Sequence, residues 1–65
     1  MIRLTTTLGD QTVSVETFDD LYALSIDLTE TADEEYMRNV LTQLRDGERV
    51  VSVRNAAFID VYEVI

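Results

Sequence analysis

The 65-residue chain contains no cysteine, no histidine and no proline, and all five of its positive charges are arginines. Without cysteine, neither disulfides nor thiolate metal sites can stabilise it. Without His, Cys or Lys, the usual general bases and activated nucleophiles are missing, so Ser14, Ser25 and Ser52 have no partner for nucleophilic catalysis. We therefore expect no enzymatic activity, no catalytic residue and no cofactor.

Metal and nucleotide motifs are equally scarce. The chain has no glycine-rich phosphate loop and no zinc-ligand spacing. Asp27-x-Thr29-x-Thr31-x-Asp33 offers alternating oxygen ligands, as a calcium loop does, but it lacks the glycine at the sixth position and the glutamate at the twelfth. The sequence therefore predicts no metal site.

No apolar run is long enough to span a bilayer, and the start of the chain lacks the basic and apolar regions of a signal peptide. We therefore expect a soluble, cytoplasmic protein without membrane contacts. Its 46% hydrophobic residues follow regular patterns, which predicts a folded chain despite the net charge of -8. The length allows one domain, residues 1–65, stabilised by a small apolar core.

The first segment has the pattern of a β-hairpin. Residues alternate between apolar and polar over Ile2–Leu8, and the Gly9-Asp10 pair that follows is typical of a two-residue turn. Val13 and Val15 then repeat with a period of two. A two-residue loop would place both valines on the apolar face of the first strand, whereas a shift of one residue would expose them. We therefore predict that both valines belong to the core.

The middle of the chain has helical periodicity. Thr17 is the predicted N-cap of a short or irregular first segment, and Thr31 begins a capping box that ends at Glu34. Gly47 is predicted to end the helix in a left-handed conformation. The apolar stripe of the second segment repeats at i, i+3, i+4 and i+7 and comprises Met37, Val40, Leu41 and Leu44.

Two further strands are predicted over Glu48–Arg54 and Phe58–Ile65, joined by Asn55-Ala56-Ala57. The expected fold is α+β, a ββαββ domain in which two antiparallel hairpins flank helical structure that packs on the sheet. The predicted core members are Leu4, Val13, Val15, Met37, Val40, Leu41, Leu44, Val51 and Val53.

The last strand carries apolar side chains on both faces. Ile59 and Val61 share one face, while Phe58, Tyr62 and Val64 share the other. One helix can cover only one of these faces. We therefore predict that Phe58, Tyr62 and Val64 contribute to self-association, or that another protein covers them.

The segments MIRLTTTLGDQTVSVETFDDL and GERVVSVRNAAFIDVYEVI resemble those of small accessory proteins encoded by bacteriophages and prophages, in size and in the layout of strands and helix. Short acidic proteins of that group often inhibit host nucleic-acid enzymes, anti-CRISPR proteins among them. The resemblance implies an inhibitor acting in the host cytoplasm. It assigns no functional residue, because no motif matches position by position.

Charge is segregated along the chain. Nine acidic residues lie between Asp10 and Glu35 without a basic residue, and four of the five arginines follow. Helix starts explain some of these carboxylates through the helix dipole, and Glu34 is placed to pair with Arg38. Adaptation to salt or a compositional bias of the source organism would also produce an acidic chain.

Helix starts do not explain Glu16, Asp27 and Glu30, and these three favour a functional interpretation. We expect an acidic surface that docks on a basic, nucleic-acid-binding protein and competes with phosphates. The predicted contacts are Glu16, Asp27, Glu30, Asp33, Glu34 and Glu35. Direct binding to DNA or RNA is disfavoured because the acidic half would repel phosphates. The alternative is a structural protein that homodimerises through its last strand, with acidity serving solubility.

Overall fold

A computed structural model describes residues 1–55 and 57–65 and shows an α+β domain with the element order ββααββ. The elements are β1 (Ile2–Leu8), β2 (Gln11–Phe18), α1 (Leu21–Thr31), α2 (Glu34–Arg45), β3 (Val50–Arg54) and β4 (Phe58–Val64). The strands form one antiparallel sheet in the order β2-β1-β4-β3. The predicted fold class is confirmed, with two helices between the hairpins. Neither helix is long and apolar enough to span a bilayer.

Two glycines adopt positive φ where the chain turns. Gly9 has φ 61 in the turn between β1 and β2, and Gly47 has φ 84 directly after α2 and its C-cap. Beyond α2, the Gly47 N–H donates to the Leu44 carbonyl (3.0 Å) and the Glu48 N–H donates to the Gln43 carbonyl (2.9 Å). This pair of bonds is the Schellman motif, in which a left-handed residue closes the helix. The predicted end of the helix at Gly47 is confirmed.

The register predicted for the first hairpin is wrong beyond the turn. Val13 is the extra residue of a β-bulge. Thr6 therefore pairs with Ser14 and not with Val13. Val15 consequently pairs with Thr5 and points away from the helices, with 56% of its surface exposed. The bulge shifts the strand by one residue and exchanges which of its side chains face the core.

An aspartate is the N-cap of each helix. The carboxylates of Asp20 and Asp33 accept hydrogen bonds from the backbone N–H three residues further on, at 2.9 and 2.7 Å. These bonds satisfy donors that the first helical turn leaves free. The predicted caps at Thr17 and Thr31 are wrong, since Thr17 lies in the β2 ladder and Thr31 is the last residue of α1. Aspartate caps a helix as well as threonine does, so residue type alone did not separate these positions.

The core lies between the helices and one face of the sheet. Its buried apolar residues are Ile2, Leu24, Leu28, Val40, Leu44, Val50 and Tyr62. The predicted core positions Val40 and Leu44 are confirmed. Three further predicted members pack against the core while partly buried: Leu4, Met37 and Leu41. The prediction for Val51 and Val53 is wrong, because Val50 is the β3 valine that points inward.

The predicted connection Asn55-Ala56-Ala57 includes Ala56, which lies outside the described residues. On either side of it, Asn55 has φ 55 and the Ala57 N–H donates to the Arg54 carbonyl at 3.3 Å. Asparagine tolerates the left-handed region better than most residues, which suits this position in the β3–β4 connection.

The two faces of the sheet are used differently. Both helices pack on the face that carries Ile2 and Tyr62. The opposite face, here termed the open face, exposes Val15, Val51 and Val53. Because cross-strand partners share a face, the half-buried Ile59 and Val61 of β4 lie on the open face too.

Candidate binding cleft

A cleft of about 510 Å³ lies between the sheet and the junction of the two helices. All four strands contribute side chains to its floor, whereas the end of α1, the start of α2 and the residues between them form its wall. The cleft exists because α1 and α2 cover only one end of the sheet face on which they pack. The uncovered part next to the apolar core carries mainly polar side chains, and Leu8 and Phe58 form the row beyond it.

A row of oxygen-bearing side chains forms the floor. Thr6 on β1 pairs with Ser14 on β2 and with Asp60 on β4, and Asp60 pairs with Ser52 on β3. Directly paired residues project to the same side of a sheet, so these four side chains form a continuous line across it. The row consists of three hydroxyls and one carboxylate. Such groups accept hydrogen bonds from cationic donors.

Asp60 is the buried charge of this row, with 7% of its surface exposed. Its Oδ1 accepts a hydrogen bond from the Thr6 hydroxyl at 2.7 Å, and its Oδ2 lies 3.2 Å from Nε of Arg54. The Arg54 guanidinium in turn lies 5.1 Å from the centre of the Phe58 ring, within range of a cation–π contact. A buried carboxylate requires such partners, because moving a charge out of water is costly unless the charge is paired and hydrogen-bonded.

Sequence reasoning missed Asp60. A signal for it existed, since Asp60 lies between Phe58 and Tyr62 on one face of an alternating strand. A charged residue at an apolar position of this kind indicates either a partner or a site. In the part of the chain that the structure describes, no buried side-chain nitrogen or oxygen lacks a hydrogen-bond partner.

Tyr62 lies where the apolar core meets the cleft. Its hydroxyl is 3.0 Å from that of Tyr36, and 3% of the residue is exposed. Burial raises the pKa of the Tyr62 phenol above its ordinary value, and the hydrogen bond to Tyr36 and the nearby carboxylates of Asp60 and Asp27 raise it further. The phenol is therefore neutral at physiological pH.

The residues predicted for self-association do not share one surface. Tyr62 is a core residue, Phe58 is half-buried next to Arg54, and Val64 is exposed. All three lie on the helix-covered side of β4, as their alternation with Ile59 requires. Val15, Val51 and Val53, in contrast, are exposed on the open face.

Three of the six predicted acidic contacts line the cleft together. Glu16 comes from β2, Asp27 from α1, and Asp33 from the position that caps α2. The fold thus brings together carboxylates that are separated by up to 17 positions in sequence. Asp33 also has a structural role, since its carboxylate holds the first turn of α2.

The other three predicted contacts lie outside the cleft lining. Glu30, Glu34 and Glu35 are exposed on the two helices. Glu34 forms the predicted ion pair with Arg38, at 2.8 Å, on a surface where both side chains are mostly exposed. A pair of this kind contributes little to stability.

The cleft carries excess negative charge. Four carboxylates line the cleft, from Glu16, Asp27, Asp33 and Asp60. Among residues 1–55 and 57–65, Arg54 is the one basic residue of the lining. Because Arg54 pairs with Asp60, three carboxylates face the cleft without a basic neighbour in the lining. Across those same residues, no three His, Cys, Asp or Glu side chains are close enough to hold a metal ion.

Comparisons with known proteins assign no family to this chain. No protein-family model matches it, and a search of curated proteins and of solved structures finds no significant match. Any functional proposal therefore depends on the side chains of the cleft and on the distribution of surface charge.

Proposed function

We propose that the protein is an acidic binding module that inhibits or regulates a nucleic-acid-binding protein. The observation that carries the proposal is the convergence of Glu16, Asp27 and Asp33 around one cleft. Carboxylates that line one cleft repel one another, and a cationic partner placed between them would offset that repulsion. Arginine and lysine side chains that otherwise hold phosphates are partners of that kind.

The cleft suits the insertion of a basic side chain. Its volume of about 510 Å³ lies in the range of clefts that accommodate a ligand. The hydroxyls of Ser14 and Ser52 and the carboxylates of the wall can accept several N–H bonds from a guanidinium or an ammonium group. A basic side chain inserted in this way would be unavailable to a phosphate.

The charge outside the cleft supports the same class of partner. Glu30 and Glu35 are exposed on the helices, and the chain as a whole carries a net charge of -8. A field of one sign accelerates association with a surface of the opposite sign and repels phosphates. The proposed partner is therefore a basic protein, and direct contact with DNA or RNA is disfavoured.

The test compares two charge-reversed variants with equal net charge. Glu16→Lys with Asp27→Lys changes the cleft, whereas Asp19→Lys with Glu48→Lys changes exposed positions that do not line it. Wild type and both variants are immobilised and exposed to a cell extract, and bound proteins are eluted with single-stranded DNA and identified by mass spectrometry. We expect wild type and the control variant to release a basic nucleic-acid-binding protein, and the cleft variant to release none.

Retention of the same protein by the cleft variant would contradict the proposal. A titration with an arginine-rich peptide provides a second readout that requires no extract. We expect the peptide to bind wild type more tightly than the cleft variant, and the affinity to fall as ionic strength rises. Equal affinity of the cleft and control variants would show that net charge alone attracts the peptide.

A second candidate function is a structural protein that joins copies of itself through β4. The exposed Val51 and Val53 favour it, because they pair with the half-buried Val61 and Ile59 of β4, and exposed apolar patches often mark interfaces. On this hypothesis the acidic residues serve solubility.

A further inference from the structure

The open face carries a row of three valines and one threonine across the sheet. Thr5 pairs with Val15 on one side and with Val61 on the other, and Val61 pairs with Val51. These four residues form a row that crosses all four strands. Both ends of the row are valines that are more than half exposed. Val53 extends the patch toward the β3–β4 connection.

Charge distinguishes the open face from the rest of the molecule. Of the charged residues in the described strands, those on this face are Arg3 and Glu63, which form an ion pair at 2.6 Å on the two central strands. The face is therefore neutral, whereas the chain carries a net charge of -8. Two copies that met through an acidic surface would repel each other, and contact through this face brings no net charge together.

We propose that a second copy of the chain packs its open face on this one and forms a symmetric dimer. A two-fold axis parallel to the strands, midway between β1 and β4, places β1 over β4 of the second copy and β2 over β3. Arg3 of each copy then meets Glu63 of the other, and Val15 meets Val51. The open face is thus complementary to itself in both charge and apolar contact.

The size of the face predicts a weak dimer. With strands about 4.8 Å apart and about 3.3 Å per residue, each face covers roughly 20 by 20 Å. Contact between two such faces buries on the order of 800 Å² in total, and protruding side chains add somewhat to this area. The sum stays below the roughly 1,200 Å² of stable complexes. The dimer is therefore expected at high protein concentration. It leaves both acidic clefts exposed, because they lie on the opposite face of each sheet.

This proposal rests on the second candidate function, self-association, and is independent of the acidic cleft. The first measurement is sedimentation equilibrium of the wild type, of Val51→Glu and of Ile26→Glu. Ile26 is an exposed apolar residue of α1, so its variant is a matched control with the same change in charge. We expect wild type and Ile26→Glu to dimerise, and Val51→Glu to dissociate at least about tenfold more readily.

The second measurement tests the two-fold arrangement. In Arg3→Glu and in Glu63→Arg, like charges face each other within each homodimer, so each variant alone should be monomeric. Mixed together, the two variants restore both opposite-charge contacts across the two-fold axis. We expect the mixture to dimerise within about threefold of the wild-type affinity. The matched control is a mixture of Glu34→Arg with Arg38→Glu, an ion pair on the exposed surface of α2.

The outcomes separate the proposed two-fold arrangement from self-association in general. Rescue in the Arg3 and Glu63 mixture, together with loss of the dimer in Val51→Glu, supports the proposal. If the wild type dimerises but the mixture of folded variants stays monomeric, the proposed arrangement is wrong and self-association stands. If the wild type is monomeric at millimolar concentration, the two-fold arrangement and self-association are both wrong. Thermal unfolding of each variant shows that it is folded before association is measured.

Discussion

The helix-covered face of the sheet has an apolar end, packed beneath α1 and α2, and a polar end, which forms the floor of the cleft. At the apolar end, Ile2, Val50 and Tyr62 are buried under leucines and a valine of the helices. At the polar end, Thr6 and Asp60 are equally buried but satisfy each other by hydrogen bonding. The two ends belong to the same four strands and to adjacent rows of the sheet.

The residues that form the apolar core and the cleft that we propose to bind a partner thus lie at different positions along the strands. A 65-residue domain has few apolar residues to bury, and most of those that are buried lie where the helices pack on one end of the sheet. The other end is left with polar groups that require partners and with carboxylates that repel one another. We therefore expect substitutions at the apolar end to affect folding most, and substitutions in the cleft wall to affect binding most.

The largest expected effect is at the apolar end. Leu24 on α1 is fully buried, so Leu24→Ala should lower the free energy of unfolding by about 2–5 kcal/mol, through lost transfer energy and the cavity left behind. Urea denaturation measures the change. Ile26→Ala on the same helix is the control, and its exposed side chain should cost far less. Equal losses from both variants would contradict the assigned packing of α1.

Removal of the buried carboxylate at the polar end should have the next largest effect. Asp60→Ala leaves the Thr6 hydroxyl and the Arg54 guanidinium without their partner. We expect a loss of about 1–3 kcal/mol in the free energy of unfolding, because a buried donor is left unsatisfied. Ser52→Ala, in the same row, is the matched control. A neutral result for Asp60→Ala would show that water replaces the carboxylate and that the row is not preorganised.

Tyr62 lies at the boundary between the two ends, and its contribution to the free energy of unfolding should depend on pH. Its pKa is raised in the folded protein, so the unfolded chain loses the phenolic proton first as pH rises. The contribution of Tyr62 to stability is therefore intact below its ordinary pKa of about 10 and is lost progressively above it.

The test of this pH dependence is Tyr62→Phe. At neutral pH we expect a loss of about 0.5–1.5 kcal/mol from the missing hydrogen bond to Tyr36. Between about pH 9 and pH 11 the free energy of unfolding should fall less steeply in the variant than in the wild type. Tyr22→Phe is the control, since the Tyr22 residue is 73% exposed. Parallel pH profiles for wild type and Tyr62→Phe would refute the assignment.

The smallest expected effect on the free energy of unfolding is in the cleft wall. There we expect a substitution to stabilise the protein. Asp27→Asn removes one of the converging carboxylates without disturbing a helix cap. We expect the free energy of unfolding to rise by about 0.5 kcal/mol or less, while affinity for an arginine-rich peptide falls. Glu30→Gln, on the same helix outside the cleft lining, should change peptide affinity less. If Asp27→Asn destabilises the protein, its carboxylate serves the fold.

Much of the architecture could be predicted because its signals are local. The Gly9-Asp10 turn, the stripe that includes Val40 and Leu44, and the helix end at Gly47 each depend on residues adjacent along the chain or around one helix turn. The acidic cleft could be predicted in part. Glu16, Asp27 and Asp33 stood out by charge alone, but only the tertiary structure shows that they line one cavity.

The bulge at Val13 could not be predicted because local patterning favours a regular hairpin that places its valines with the apolar residues of β1. In the folded protein, the helices leave that corner of the sheet uncovered, so a buried position for Val13 or Val15 is not available there. The strand shifts by one residue, and Ser14 faces the cleft while Val15 joins the open face.

The sequence by itself determined the order of strands and helices, the turn at Gly9, the end of α2 at Gly47 and the acidic character of the middle of the chain, because each depends on residue type and short-range spacing. Only the tertiary structure decided which face of β2, β3 and β4 is buried, and that Asp60 meets Thr6 on the floor of a cleft. The physical reason is that burial depends on where two helices come to rest on a sheet. That position follows from the packing of the whole domain rather than from any single segment.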